Sequence, residues 1–160
     1  MVLLSVCTSI PATANTPKIP AISSISSRSL AAEEAEVFDL VNRERGRRNL
    51  GTLAWNEDLA DIAREYSRKM ARERFFDHFD RNGRSVVDRA NSRRIGGWQR
   101  IGENLFFYRG DGSFSNLAIR GWLKSPSHRE NMLDRGWKAS GIGIAEARDG
   151  SIYVTQVFLE

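Results

Sequence analysis

Residues 121–133 constrain the fold most strongly, because they place the end of one helix directly beside the start of another. Pro126 marks the turn between the two helices. Ser127 and Glu130 have the spacing of a capping box, in which the hydroxyl and the carboxylate each accept from a backbone N–H group. This assignment puts His128 in the first turn of the new helix, where the positive end of the helix dipole favours neutral imidazole.

The flanking segments predict helices early in the chain and strands later. A first helix is expected over residues 31–45. Asn56 is expected to cap a second helix, whose apolar residues recur at helical spacing. Residues 140–146 and 151–159 alternate and are joined by an Asp-Gly turn, which predicts a β-hairpin. With a further strand over residues 104–108, the pattern predicts a single α+β domain.

Four ordered motifs resemble one known family. They are Asn56-Glu-Asp-Leu-Ala, Phe75-Phe-Asp-His78, Gly102-Glu103-Asn104, and Trp122 followed by Ser125-Pro-Ser-His128-Arg-Glu-Asn-Met-Leu133. The set is similar to the CAP superfamily in its bacterial form, which unites cysteine-rich secretory proteins, antigen 5 and pathogenesis-related 1 proteins. The resemblance runs from about Glu33 to the C-terminus. It implies an α-β-α sandwich of the CAP/SCP type with a small central, mostly antiparallel sheet.

The resemblance also implies a polar binding cleft. Family members carry two His and two Glu there, and the motifs assign His78, Glu103 and His128 to three of these places. The fourth place departs from the pattern of many eukaryotic members, because Ser125 stands where they have a Glu after Trp122. The loss of that carboxylate makes the predicted cleft less negative.

Two neutral imidazoles and one carboxylate can hold zinc while leaving a position open for water. His78 and His128 are therefore candidate metal ligands, and Glu103 is a candidate third ligand or general base. No His-Glu-x-x-His motif of a zinc protease occurs. A serine nucleophile is not indicated, because Ser127 is adjacent to His128 and neighbours on a helix do not face each other.

Two functions remain open at this point. One is a binding module for a lipid or sterol, a wall polymer or a protein. The other is a metal-assisted hydrolase that acts on an extracellular peptide or ester. A third, adhesive role is suggested by Arg64, Arg68 and Arg72, which form an i, i+4 row on the second helix. The alternative interpretation of this row is a solvated face with mixed ion pairs. The oligomeric state is left open, and Phe75 and Phe76 are expected in the core.

The amino terminus differs from the rest of the chain. Residues 1–14 resemble an atypical signal peptide, with an apolar stretch and small residues at a cleavage site but no positive start. Residues 15–30 form a Ser/Pro/Thr-rich linker, and residues 31–160 form the CAP/SCP domain. We therefore expect a secreted or cell-envelope-associated protein. The single cysteine, Cys7, leaves no internal disulfide, unlike in the disulfide-stapled eukaryotic relatives.

Composition narrows the classes of partner. The net charge of +4 favours anionic surfaces such as wall polymers or lipid headgroups. A nucleic-acid partner is not expected, because no basic run is interleaved with aromatic residues. A transmembrane segment is not expected either, because no apolar run approaches the length that spans a bilayer.

Overall fold

The computed structural model describes residues 29–110 and 112–160. The elements in chain order are α1 (Leu30–Gly46), β1 (Ala54–Trp55), α2 (Glu57–Glu73), α3 (Val86–Ser92), β2 (Ile101–Tyr108), α4 (Ser115–Lys124), α5 (Pro126–Leu133), β3 (Ala139–Glu146) and β4 (Ile152–Leu159). In the described part of the chain, no helix has the length and apolar character needed to cross a bilayer. The predicted signal peptide lies outside the described residues, as does the predicted linker up to residue 28.

The start of each long helix follows from its capping residue. Ser29 accepts a hydrogen bond from the backbone N–H of Ala32 at 3.3 Å and begins α1. Asn56 accepts from the backbone N–H of Leu59 at 3.0 Å and begins α2, as its sequence predicts. Residues 29 and 30, predicted as the end of the linker, thus cap and begin the first helix.

The four strands form one sheet in the order β1-β3-β4-β2. Strand β1 pairs with β3 in parallel, whereas β3–β4 and β2–β4 are antiparallel. The mostly antiparallel sheet predicted from the family resemblance is therefore confirmed. Strand β4 is central and buried from Ile152 to Phe158, and β2 lies at one edge.

Successive residues of the sheet face different helices, as the two-residue period of a strand requires. Even-numbered residues pack against α1, α4 and α5, and they include Ile142, Ile144, Val154 and Phe158. Odd-numbered residues pack against α2 and α3, and they include Leu105, Tyr153 and Val157. Helices thus cover both faces of the sheet, and the predicted α-β-α sandwich is confirmed.

Helix α2 lies unusually close to β3. A Cβ added to Gly141 would lie 2.1 Å from the backbone nitrogen of Ala60, and one added to Gly143 would lie 2.0 Å from that of Arg64. The Ser67 hydroxyl donates to the carbonyl of Gly143 at 2.8 Å. Helix α2 is therefore fixed on the sheet by direct backbone contact.

The junction of α4 and α5 differs from its prediction. Helix α5 begins at Pro126, with Ser125 as the extended N-cap residue. Proline is favoured at the first helical position for two reasons. A backbone N–H there would have no partner within the helix, so its absence costs nothing, and the φ of proline is already helical. Ser127 is consequently the second helical residue, so the predicted capping box with Glu130 is wrong. His128 still lies in the first turn.

Candidate functional site

The edge strand β2 is covered by side chains instead of by another strand. The Asn131 side chain of α5 donates to the carbonyl of Glu103 at 3.1 Å. The Trp122 indole N–H of α4 donates to the carbonyl of Leu105 at 2.9 Å. Outward-facing backbone groups of an edge strand are costly to bury without partners. These contacts fix the strand that carries Glu103 against the helix that carries His128.

Glu103 lies at the centre of the candidate site. Its side chain is only 3% exposed, and one carboxylate oxygen lies 2.9 Å from His78 Nδ1. The other oxygen accepts from the guanidinium of Arg89, on α3. Burying a carboxylate is costly unless it has cationic or hydrogen-bond donor partners, and Glu103 has one on each oxygen.

The segment that carries His78 is held in place from α2. The Tyr66 hydroxyl donates to the backbone carbonyl of Asp77, the residue before His78, at 2.5 Å. At the end of the segment, Lys69 Nζ lies 2.6 Å from a carboxylate oxygen of Asp80. The position of His78 is therefore set by the same helix that contacts β3 directly.

Arg89 and Tyr66 belong to the site although the sequence motifs do not indicate them. The Arg89 guanidinium carbon lies 3.4 Å from the centroid of the Tyr66 ring, within cation–π distance. Burial raises the pKa of the Tyr66 phenol above its usual range, so the hydroxyl remains a donor. Arg89 lies 14 residues before Glu103 on a separate helix. No local spacing in the sequence connects the two.

His128 completes the group of predicted site residues. Its ring centroid lies 6.3 Å from that of His78, with the ring planes tilted by 39°. The backbone of His128 is tied to β2, because the Asn104 side chain donates to its carbonyl at 3.0 Å. Asn104 and Asn131 are themselves joined at 3.2 Å. The structure thus brings His78, Glu103 and His128 together, with the asparagines as backbone anchors.

The pKa values of the two imidazoles are shifted in opposite directions. The hydrogen bond to Glu103 raises the pKa of His78 above its usual value. Burial lowers the pKa of His128, and the charge of His78 lowers it further. His128 is therefore biased toward neutral imidazole, as predicted, although burial rather than the helix dipole is the leading cause. His78 is biased toward the protonated form.

Exposed aromatic side chains flank His78 in the chain. Phe76 and Phe79 lie on either side of His78 in the chain and are 48% and 56% exposed. The Phe76 ring lies 5.9 Å from that of Phe107, which is 41% exposed. The expectation that Phe76 lies in the core is wrong, whereas Phe75 packs against the buried cluster around Tyr66. Large exposed aromatic groups near a polar cleft are a feature of binding surfaces.

Ser125 takes no part in the hydrogen bonding of the histidines and Glu103. Its hydroxyl lies 3.5 Å from that of Ser127, at the start of α5. Within residues 29–110 and 112–160, no hydrogen bond joins Ser125 to His78, Glu103 or His128. Ser125 stands at the sequence position predicted for the fourth residue of the cleft, and there it is the N-cap residue of α5.

The side chains of the cleft fit only part of the predicted metal site. Among the described residues, no three His, Cys, Asp or Glu side chains are grouped so as to hold a metal ion. Both oxygens of Glu103 are engaged, one by His78 and one by Arg89. A carboxylate bonded to the far nitrogen of a metal-binding histidine commonly orients that ring. Glu103 therefore fits the place of a group that orients His78, and not the place of a third metal ligand.

Comparison with known proteins places the chain in a family. A family model described as the cysteine-rich secretory protein family, CAP, matches residues 38–158. Two curated relatives come from Bacillus subtilis (strain 168). Uncharacterized membrane protein YlbC is 29% identical over 79% of this chain and 34% of its own length. Uncharacterized protein YkwD is 31% identical over 80% of this chain and 48% of its own length. The chain thus spans between a third and a half of these relatives.

Solved structures agree with this assignment. An extracellular protein containing an SCP domain, from Bacillus anthracis str. Ames, is 32% identical with a TM-score of 0.69, over 81% of this chain and 41% of that one. An outer surface protein from Borrelia burgdorferi has a TM-score of 0.74 at 19% identity, over 83% and 96% of the two chains, which is a likeness of fold alone. The chain therefore belongs to the CAP superfamily of cysteine-rich secretory proteins, in its bacterial form.

Proposed function

We propose that this chain is a secreted or envelope-associated binding module whose His/Glu cleft recognises an amphiphilic ligand of the lipid or sterol class. The observation that carries the proposal is the division of exposure within the cleft. Glu103 and Arg89 are 3% and 11% exposed, whereas His78 is 48% exposed. A ligand therefore reaches the imidazole, while the buried pair behind it serves to fix the ring and its charge.

The neighbouring side chains favour a ligand with one polar and one apolar part. A protonated His78 donates to a carboxylate or phosphate group. The exposed rings of Phe107 and of Phe76, which lies two residues before His78 in the chain, contact each other and offer an apolar surface. Binding sites of small ligands typically combine such an apolar lining with a few placed polar groups. A wall polymer and a protein ligand are the alternatives.

Export is the second part of the proposal. It is supported by the apolar and small-residue pattern of residues 1–14. It is also supported by a structural relative described as an extracellular protein. A fusion of residues 1–30 to a reporter that is active only outside the cytoplasm tests it. An inactive reporter in a bacterial host with a working export system would contradict export.

Ligand uptake by the purified full-length chain tests the cleft. Fatty acids, anionic phospholipids and sterols are offered, and bound lipid is detected by native mass spectrometry. We expect one lipid per chain, with occupancy reduced about tenfold or more in His78→Ala and in Phe76→Ala. The first substitution removes the polar contact with the ligand, and the second removes an apolar contact. Val87→Ala is the matched control, because Val87 is an exposed apolar residue outside the cleft. No uptake across these lipids, or equal uptake by all variants, contradicts the proposal.

A zinc-dependent hydrolase is the second candidate function. It is favoured by the two imidazoles in one cleft and by the hydrogen bond of His78 Nδ1 to Glu103, which leaves Nε2 available for a metal. A protein of similar fold, NaASP2, has been solved with Zn2+, although at 14% identity and a TM-score of 0.57 it is similar in fold alone. Bound zinc would supply a polarised water for attack on an ester or amide. Glu103 and Arg89 would hold the imidazole ring of His78 in place.

Calorimetric zinc titration separates the two functions. The hydrolase requires one-to-one binding near neutral pH that is lost in both His78→Ala and His128→Ala. It also requires turnover of a peptide or ester that disappears in His128→Ala without loss of folding, as judged by circular dichroism. Zinc binding without turnover, or no zinc binding, eliminates the hydrolase and leaves the binding module.

A further inference from the structure

A second surface of the domain carries an unusual concentration of free positive charge. Where the end of α2 meets the β3–β4 hairpin, a groove of about 380 Å³ is lined by four arginines: Arg68, Arg72, Arg74 and Arg148. All four are exposed. We refer to this surface as the arginine groove. No residue of the His/Glu cleft lines it.

The arginine groove differs from an ordinary solvated face, because most of its arginines are not paired with carboxylates. Arg64, the first member of the predicted arginine row, binds the carboxylates of Glu34, Glu57 and Asp61. Its charge is therefore neutralised within the protein, as the mixed-ion-pair interpretation requires. The rest of the row differs, because no carboxylate outside its own helix binds Arg68 or Arg72 in the described residues.

Three of the groove arginines have no acceptor at all in the described part of the chain. These are Arg68, Arg74 and Arg148, whose side chains form no hydrogen bond or ion pair with the described residues. Arg72 binds only the adjacent Glu73, at 3.1 Å. Two carboxylates also line the groove, Glu146 and Asp149. Asp149 is already used, since it accepts from the backbone of Ser151 and lies 3.8 Å from Arg109.

The chemistry of the groove favours a polyanion over a membrane. Every cation in the lining is an arginine, whose planar guanidinium binds phosphate or carboxylate oxygens in pairs. Docking on a bilayer surface needs apolar side chains that enter the interface. The exposed large apolar residues of the described chain are Leu30, Phe76, Phe79, Val87 and Phe107, and none of them lines the groove. A concave lining also suits an extended chain better than a flat surface.

We infer that the arginine groove binds an extended polyanion with phosphodiester groups, of the kind that anionic envelope polymers present. Arg68 and Arg72 lie one helical turn apart and bind successive anionic groups. Arg74 and Arg148 close the groove from the end of α2 and from the hairpin. The groove would attach the domain to the polymer while the His/Glu cleft remains free for its own ligand.

The test uses the purified full-length chain and poly(glycerol phosphate) fragments as the probe. Affinity is measured by fluorescence anisotropy from about 50 to 200 mM salt, because phosphate contacts make binding strongly salt-dependent. The groove variant carries Arg68→Gln, Arg72→Gln and Arg148→Gln. The control variant carries Arg43→Gln, Arg47→Gln and Arg120→Gln, which are exposed arginines elsewhere. Three charges are removed in each, so both variants fall from +4 to +1.

We expect the groove variant to bind at least about tenfold more weakly and to lose about two units of salt slope, since each phosphate contact contributes roughly 0.7 to 0.9. The control variant and His128→Ala are expected to bind like the unmodified chain. An equal loss in the control variant would overturn the proposal, because net charge alone would then explain binding. Equal or tighter binding of polyglutamate or of anionic vesicles would also overturn it. Unchanged binding by His128→Ala makes this outcome independent of the cleft proposal.

Discussion

Strands β3 and β2 are both held against helices, but by different kinds of contact. Strand β3 meets α2 by direct backbone contact, since Gly141 and Gly143 have no side chains to hold the two elements apart, and the Ser67 hydroxyl adds one hydrogen bond. Strand β2 meets α4 and α5 through hydrogen bonds from Asn131 and Trp122 to its carbonyls. The first contact fixes position and leaves no room for a ligand. The second also fixes position, and the half-exposed His78 lies beside this edge of the sheet.

The difference explains where the candidate site lies. Direct backbone contact makes α2 a rigid support, and that support holds the His78 segment through Tyr66. The edge strand contributes Glu103, and the helix that covers the edge contributes His128. The site therefore forms where a rigid element, an edge strand and a covering helix meet. The following four predictions test this division between rigid support and accessible edge, beginning with the largest expected effect.

Gly143→Ala is expected to cause the largest loss of stability. The new Cβ would lie 2.0 Å from the backbone nitrogen of Arg64, and backbone cannot move aside as a side chain can. We expect the free energy of unfolding to fall by about 4 kcal/mol or more, which is rare for one methyl group. Urea denaturation measures the change. Gly51→Ala is the control, because its Cβ would meet nothing within 4 Å. Equal stability of the two variants would show that α2 and β3 are not in direct contact.

Arg89→Met is expected to have the next largest effect. It leaves the buried carboxylate of Glu103 with His78 as its sole remaining ionic partner, and breaking a buried pair in this way costs about 3 kcal/mol. The double variant with Glu103→Gln should lose less than the sum of the single variants, since the two groups interact directly. Additive losses in the denaturation midpoints would mean that the pair contributes nothing specific to the site.

Arg89 also shows what could not be predicted from the sequence. Its contact with Glu103 depends on how α3 packs beside β2, and no periodicity or motif reports that packing. The Asn56 cap and the Asp-Gly hairpin were predictable, because each depends on residues close in sequence. The three cleft residues were predictable only through the family motifs. The physical reason is that side-chain convergence across elements depends on tertiary packing.

The capping box in α5 failed for a different reason. Ser127 and Glu130 have the right spacing, but Pro126 competes for the first helical position and shifts the N-cap to Ser125. The preference of proline for the first helical position thus outweighs the capping-box spacing of Ser127 and Glu130. The prediction that His128 lies in the first turn is confirmed, because a shift of the helix start by two residues keeps it within that turn.

Asn131→Ala tests the covering of the edge strand with an intermediate effect. It removes the donor to the Glu103 carbonyl and the contact with Asn104, leaving a partly buried carbonyl without that partner. We expect a loss of roughly 1–2 kcal/mol. Asn116→Ala, on the exposed face of α4, is the matched control and should change stability little. Faster hydrogen exchange at β2 in Asn131→Ala, with α2 unaffected, would localise the effect. Uniformly faster exchange would contradict the division drawn above.

The smallest expected effect is the dependence of stability on pH, and the two histidines should act in opposite directions. His78 has a raised pKa in the folded chain, so its contribution is fully present below its unfolded pKa of about 6.5 and is lost as pH rises through the folded pKa. His128 has a lowered pKa, so the folded chain binds fewer protons than the unfolded chain just below pH ~6.5. The free energy of unfolding should therefore also fall as the pH decreases below about 6.5.

Stability measured by urea denaturation across neutral pH should thus show a shallow maximum. His78→Ala should remove the decline on its alkaline side, and His128→Ala should remove the decline on its acidic side. Each change should be about 1 kcal/mol or less, because His78 is half exposed and its interaction with Glu103 is screened by water. If His78→Ala left the alkaline decline intact, the Glu103 hydrogen bond would not hold a proton on His78. The accessible edge of the sheet would then lack the fixed charge on which the ligand proposal depends.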